Sequence, residues 1–234
     1  MTEIAEAFHA AFRLIVTFDR DLVEIVLLSL GVSLSAVAIA ALLGLPLGAA
    51  IALARFPGRR ALIVLLNALM GLPPVVVGLF IYLLLSRAGP LGVLGLLFSP
   101  GAMIIAQAVL VLPIVAALTR QIVEDLWEEY GEQLRSLGCT PFGAIGTLLW
   151  EGRITLLTAL LAGFGRAAAE VGAIMIVGGN IDGFTRTMTT AIALETSKGD
   201  LPLAVGLGMV LISIVILINA LAWGARRAGE RYAG

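Results

Sequence analysis

Arg166 and Glu170 are the residues best placed in this sequence to act on a charged solute, because they stand four apart inside an otherwise apolar run from Ile154 to Val177. A charge near the centre of a bilayer costs about 2.5–3.5 kcal/mol on insertion scales, so such residues face a bundle interior or a wet cavity. On a continuous helix the two share one face and neutralise each other. Two readings follow: a structural ion pair that locks the helix to a neighbour, or an arginine that eases an anion along a pathway. Pro73 and Pro74 form a second candidate. Adjacent prolines remove two backbone donors, which an apolar segment tolerates only at a helix interface or beside a water-lined cavity. A third group, Asn180, Thr185, Arg186, Thr187 and Thr189, offers an amide, hydroxyls and a cation to an anion or an external protein, or is simply a solvated loop.

Nothing comparable supports covalent or metal chemistry. There is one histidine, His9, and one cysteine, Cys139, so neither a nucleophile with its base nor a metal cluster can be assembled. No GxxxxGK[ST] phosphate loop is present, which excludes an ATPase. The net charge of −1 argues against a nucleic-acid partner.

The stretch from Trp127 to Arg153, WEEYGEQLRSLGCTPFGAIGTLLWEGR, is a polar, acidic island between long apolar segments. Within it Leu134, Leu137, Phe142 and Ile145 are apolar knobs around Gly138, beside Glu128, Glu129, Glu132 and Arg135. A short helix, a glycine break and a second apolar turn make a compact projection. Exposed Leu137 and Phe142 call for a partner, or for a loop folded on the lipid headgroups.

The elements that must hold these residues are membrane spans. The chain of 234 residues is 60% hydrophobic and 13% charged, against roughly 45–50% and 25% in soluble domains. With about 20 apolar residues needed per crossing, the expected spans are 22–53, 61–85, 101–118, 154–177 and 201–223. Together they form one transmembrane domain over 21–225, an all-α polytopic bundle of about five helices. Gly44, Pro46 and Gly48 mark a close helix contact or kink in the first span. Residues 1–20 have helical apolar spacing at Ile4, Ala7, Phe8, Ala11, Phe12 and Ile15, and are expected to lie as an amphipathic interfacial segment. Residues 226–234 form a basic tail, and a short helix is expected around Met188 to Thr196.

Orientation follows from lysine and arginine alone. With the Arg55 loop inside, Arg55, Arg59, Arg60, Arg120, Arg135, Arg153, Arg226, Arg227 and Arg231 are inside, against Arg13, Arg20, Arg87, Arg186 and Lys198 outside. The expected N-terminus is therefore external and the C-terminus cytoplasmic. The 127–153 island then lies in the cytoplasm.

Glu132 to Gly138, with Leu137 before the glycine, resembles the EAA loop of ATP-binding-cassette importer permeases, E-A-A-x-x-x-G followed nine residues on by I-x-L-P. Here Gln133 and Leu134 replace the alanines, and Leu148 to Glu151 stand where the second half would end. LPPVVVGL at 72–79 and FGRAAAEVGAIMIVGGNI at 164–181, followed by TRTMTTAI, are similar to the oxyanion branch of that family, which handles molybdate, tungstate and sulfate. The likeness covers about Leu22 to Trp223 and is greatest to the tungstate-type permease.

The resemblance implies a type I importer permease (MetI-like) fold in a prokaryotic cytoplasmic (inner) membrane, and a transport subunit rather than an enzyme. It implies a homodimer with a central path, two cytoplasmic ATPase subunits that carry ATP and Mg, and an external or periplasmic substrate-binding protein. No cofactor or metal is expected on this chain. Glu132, Gln133, Leu134, Leu137, Gly138 and Phe142 would form a coupling helix seated in the ATPase. Pro73, Pro74, Arg166, Glu170 and Asn180 would belong to the path. Tungstate is the expected cargo, with molybdate or sulfate the alternatives. A gradient-driven secondary anion transporter is the competing class, but the spans offer only Arg166 and Glu170 as a central ionisable pair and no inverted repeat is apparent.

Overall fold

The computed structural model describes residues 8–9, 12–13 and 15–232, with the backbone alone at Ala222 and residues 225–232. Much of the expected interfacial segment 1–20, and the side chains of the basic tail, lie outside the described residues. Nine α-helices follow one another among the described residues after position 19: α1 Arg20–Leu53, α2 Arg59–Met70, α3 Pro74–Leu85, α4 Pro100–Ser136, α5 Ile145–Glu151, α6 Arg153–Ala168, α7 Gly172–Gly178, α8 Met188–Lys198 and α9 Leu201–Tyr232, with one 3-10 turn at Gly92–Leu94. No strand occurs among them. α1, α4 and Leu201–Leu221 of α9 are long and apolar enough to cross a membrane, and counting α2 with α3 and α5 with α6 brings the spans to five.

Three expected spans change form. The segment 61–85, expected as a span interrupted at Gly71 to Pro74, is two helices, since Gly71 ends α2 and Pro73, extended at φ −63° and ψ 120°, precedes Pro74 at the first position of α3. A proline disfavours helical geometry in the residue before it, so the chain cannot run through. The segment 154–177 is likewise broken, into α6 and α7. The segment 101–118, by contrast, is only the first half of α4. Where apolar residues stop at Thr119, the following Arg, Gln, Glu and Leu residues are strong helix formers, so the helix continues to Ser136. At 1.5 Å per residue α4 is about 55 Å long, against a hydrocarbon core of about 30 Å. Its last turns must stand in water.

The chain divides into two compact units. The first comprises residues 1–35, 73–107 and 167–220. Its centre is the pair α3 and α7, which approach backbone to backbone: a Cβ on Gly78 would lie 2.7 Å from the Ala173 Cα, and one on Gly172 would lie 2.8 Å from Val75 Cγ2. Leu22 and Ile25 of α1 pack with Met188 and Ala191 of α8 and Leu207 of α9 in a second cluster, where Ser29 Oγ accepts the Met188 N–H at 2.7 Å.

The second unit comprises residues 36–72, 108–166 and 221–234. Here the Gly44 and Gly48 of α1 are a close helix contact, with α4 as the partner. A Cβ on Gly44 would meet Val115 Cγ1 at 3.0 Å. Gly163 of α6 comes equally close to α4, its would-be Cβ lying 2.8 Å from Val111 Cγ1. Small residues let helices touch where lipid supplies no hydrophobic force between them.

Candidate functional site

The residues of the 127–153 island are positioned by the end of α4. After Ser136 the chain reverses at Gly138, whose φ of +78° lies in the left-handed region. The Gly138 N–H donates to the Arg135 carbonyl and the Cys139 N–H to the Leu134 carbonyl, both at 2.9 Å. This is a Schellman ending, in which the last orphan carbonyls of a helix are satisfied and glycine takes the one position with positive φ. Gly138 has no neighbour within 4 Å of a would-be Cβ, so backbone conformation rather than space demands it.

Beyond the turn, Thr140 Oγ1 accepts the Gly143 N–H at 3.1 Å, and α5 and α6 follow with a bend of 79° between them. Gly152 makes that bend, its would-be Cβ 3.0 Å from Leu126 Cδ1 on α4. Beneath the loop lies a core of Ala49, Ala52 and Leu53 from α1, Val123 from α4, and Ala144 and Leu148, with Leu126, Trp127, Leu134, Cys139, Ile145 and Leu149 packed around it.

The four apolar knobs therefore separate into two pairs. Leu134 and Ile145 face the core. Leu137 and Phe142 are exposed by 81% and 60%, beside exposed Glu132 and Gln133. Trp150, which the sequence reading did not single out, is exposed by 70%, with the Arg153 guanidinium 4.8 Å from its ring centre. Large apolar groups presented on a tightly packed base form a surface suited to a protein partner.

Four of the five candidate path residues, Pro73, Pro74, Arg166 and Glu170, fall at the two helix breaks. Pro73 caps α3 with its carbonyl, which accepts the Val76 and Val77 N–H groups at 3.0 and 3.2 Å. Arg166 is half-buried in the last turn of α6. Glu170 lies beyond the end of that helix and is 3% exposed. The expectation that Arg166 and Glu170 share one continuous helical face is thus corrected, because the helix stops at Ala168. The physical reason is local: Glu170 Oε1 accepts the Ala173 N–H at 3.0 Å, satisfying a donor at the start of α7 that a continuous helix would have used internally.

The carbonyls freed at this break are also satisfied. Gln107 Nε2 donates to the Ala167 carbonyl at 3.0 Å, and Thr189 Oγ1 to the Glu170 carbonyl at 2.7 Å. Through the contact of Val75 with Gly172, the break after Pro73 and the break at Glu170 meet. Asn180 sits at the opposite end of α7, at φ +50°, its Oδ1 buried without a hydrogen-bond partner among the described residues.

In the following loop Thr185, 1% exposed, donates to the Gly178 carbonyl at 2.6 Å and accepts the Ile181 N–H at 2.9 Å. Arg186 Nη1 pairs with Asp182 at 2.8 Å and approaches Glu195 at 3.9 Å. Both residues are engaged within the loop, while Arg186 Nε is buried without a hydrogen-bond partner among the described residues.

Two further polar groups carry no signal beyond their type. Gln107 is a lone amide in an apolar run. Arg59, counted above only for its charge, pairs with Glu124, 65 residues away.

Over residues 44–229 the chain matches the family described as binding-protein-dependent transport system inner membrane component. It is 43% identical over 223 residues to the tungstate uptake system permease protein TupB of Peptoclostridium acidaminophilum, covering 95% of this chain and 98% of that one. It is 42% identical over 210 residues to a probable anion ABC transporter permease protein of Haloferax volcanii, covering 88% and 90%. With TupB of Campylobacter jejuni it shares 39% over 172 residues, covering 74% and 72%. Sulfate and molybdenum transport permeases are more distant. An all-helical chain with up to five spans, matched over most of its length in this way, belongs to the family of inner membrane components of binding-protein-dependent transport systems.

Proposed function

We propose that this chain, paired with a second copy of itself, forms the translocation path of a tungstate importer. Two separate ATPase subunits, carrying ATP and Mg, drive it from the cytoplasmic side, and an external binding protein delivers the anion. The N-terminus is external and the C-terminus cytoplasmic, a reading that the lysine and arginine bias supports. The observation that carries the reading of substrate is the likeness to a tungstate uptake permease over 95% of the chain.

The 127–153 loop is the part that the ATPase grips. Its geometry supports this: Gly138 turns the chain, Leu137 and Phe142 point outward, and Leu134 and Leu148 anchor the loop to α1 and α4. When the ATPases close on ATP, each draws its docked loop with it, and the attached spans move between inward-open and outward-open arrangements. ATP and the loaded binding protein shift that balance only through their different affinities for the two arrangements. In the path, Arg166 offsets part of the cost of bringing a doubly charged oxyanion into an apolar surrounding.

The deciding experiment is uptake into proteoliposomes that hold the permease, its ATPase and its binding protein. ATP-dependent tungstate uptake that excess molybdate and sulfate reduce only weakly is the expected result. Uptake driven by an ion gradient and insensitive to vanadate would overturn the assignment to an ATP-driven importer. Equal competition by molybdate or sulfate would move the substrate to those anions.

A further inference from the structure

Both carboxylate oxygens of Glu124 are engaged: Oε1 accepts from Arg59 Nη2 and Oε2 from Arg120 Nη1. Arg59 reaches further. Its Nε donates to the Ile51 carbonyl and its Nη2 to the Ala52 carbonyl, each at 2.9 Å. Those carbonyls belong to the last turn of α1, where a helix has no N–H of its own to offer them and where a cation is favoured. One carboxylate on α4 therefore holds, through a single guanidinium, the end of α1 and the start of α2. The three side chains are only 26%, 26% and 15% exposed, and a charge cluster so far withdrawn from water resists the loss of any one member.

The cluster also has a position. Val123, the neighbour of Glu124, is buried in the core under the 127–153 loop, and so is Ala52, whose carbonyl Arg59 holds. Apolar packing under the loop is non-directional and permits sliding. A forked guanidinium bound to a carboxylate and two carbonyls is directional and permits little.

We propose that Glu124 is a positioning residue for ATP-coupled transport: by holding Arg59 and Arg120 together, it makes the base of the 127–153 loop, the end of α1 and the start of α2 move as one body when the ATPase pulls. This rests on the reading of the loop as the ATPase contact. Without the clamp, part of each ATPase stroke is spent in sliding the loop over its core.

The test is the number of tungstate ions imported per ATP hydrolysed by the complete transporter in proteoliposomes. A residue that only stabilises the fold lowers uptake and hydrolysis together and leaves this ratio alone. In Glu124→Gln the ratio is expected to fall about fivefold or more, the lower end of ordinary coupling between sites, with Glu124→Asp restoring part of it. If Glu124→Gln does not assemble, Arg59→Lys decides, because an ammonium keeps the charge but lacks the planar fork whose separate nitrogens, Nε and Nη2, reach the two carbonyls and the carboxylate; its ratio is expected to fall as well. An unchanged ratio in Glu124→Gln, or in Arg59→Lys where that variant decides, overturns the clamp. Should the ratio be unchanged while Gly138→Asp abolishes transport, the docking loop stands without the clamp. Normal transport by Gly138→Asp overturns the docking reading itself, and this inference with it.

Discussion

Gly48 of α1 lies so close to Ala116 of α4 that a Cβ on it would stand 2.4 Å from the Ala116 carbonyl oxygen. The next nearest atoms are Thr119 Cβ at 2.8 Å and the Arg120 nitrogen at 3.0 Å, so the obstacle is mostly backbone and cannot swing aside. Gly48→Ala is expected to cost about 1–3 kcal/mol, the ordinary range for an overpacked core. Gly31→Ala on the same helix, with nothing within 4 Å, is expected to be neutral or to add up to about 1 kcal/mol of helix propensity. Thermal unfolding in detergent compares the two directly, and equal midpoints would show that the helices can part at no cost.

At Gly138 the constraint is torsional. Gly138→Asn, which tolerates positive φ, should keep the turn and most transport, whereas Gly138→Ala should lose about 1–2 kcal/mol locally. Gly138→Asp and Glu132→Lys should uncouple transport while the protein remains in the membrane. Uptake is measured together with co-purification of the ATPase, and normal transport by either of the last two would sink the docking assignment.

Leu137 and Phe142 project from the loop, while Leu148 lies beneath it at 1% exposure. Leu137→Ala and Phe142→Ala should leave the thermal midpoint nearly unchanged, within about 0.5 kcal/mol, yet weaken ATPase binding by about 2 kcal/mol if they are the anchors. Leu148→Ala should do the reverse, losing about 2–5 kcal/mol of stability. A titration of the permease with purified ATPase, set beside melting curves, separates these effects.

Thr185 ties the Gly178 carbonyl to the Ile181 N–H. Thr185→Val preserves shape and removes both bonds, which is expected to cost about 1–3 kcal/mol for the buried groups left behind, whereas Thr185→Ser should keep them. Proteolysis of the 179–187 segment should quicken in the valine variant alone. Equal cleavage rates would mean that the loop is held by something else.

Arg166 and Glu170 call for different substitutions. Gln at Glu170 still offers an oxygen to the Ala173 N–H, so Glu170→Gln should keep the start of α7 in place, while Glu170→Leu should not. Arg166→Gln is expected to assemble and to slow tungstate uptake about tenfold, equivalent to about 1.4 kcal/mol. Wild-type uptake with intact assembly would remove Arg166 from the path.

Much of the architecture was legible because membrane crossing is a matter of length and apolarity, both local. That is how α1 appears at nearly its expected bounds and α8 where a short helix was expected. Helix ends were less legible, since apolarity and helicity are separate properties: α4 leaves the apolar run at Thr119 and remains helical to Ser136. The break between α6 and α7 was missed for a related reason. Its cause is a carboxylate that bonds three residues ahead, and nothing in the period of the apolar residues records it.

By itself the sequence determined that this is a polytopic membrane protein with a polar island broken by a glycine, because composition and motif spacing are properties of the chain alone. Only the tertiary structure decided which side of the island faces out. Leu134 and Leu137 are chemically identical, and they part company because α4 turns one toward Val123 and the Schellman turn leaves the other in water. The same holds for Arg59 and Glu124. Their meeting depends on how α1, α2 and α4 pack, and packing is set by the contacts of small residues such as Gly44 and Gly48, whose partners no single sequence names.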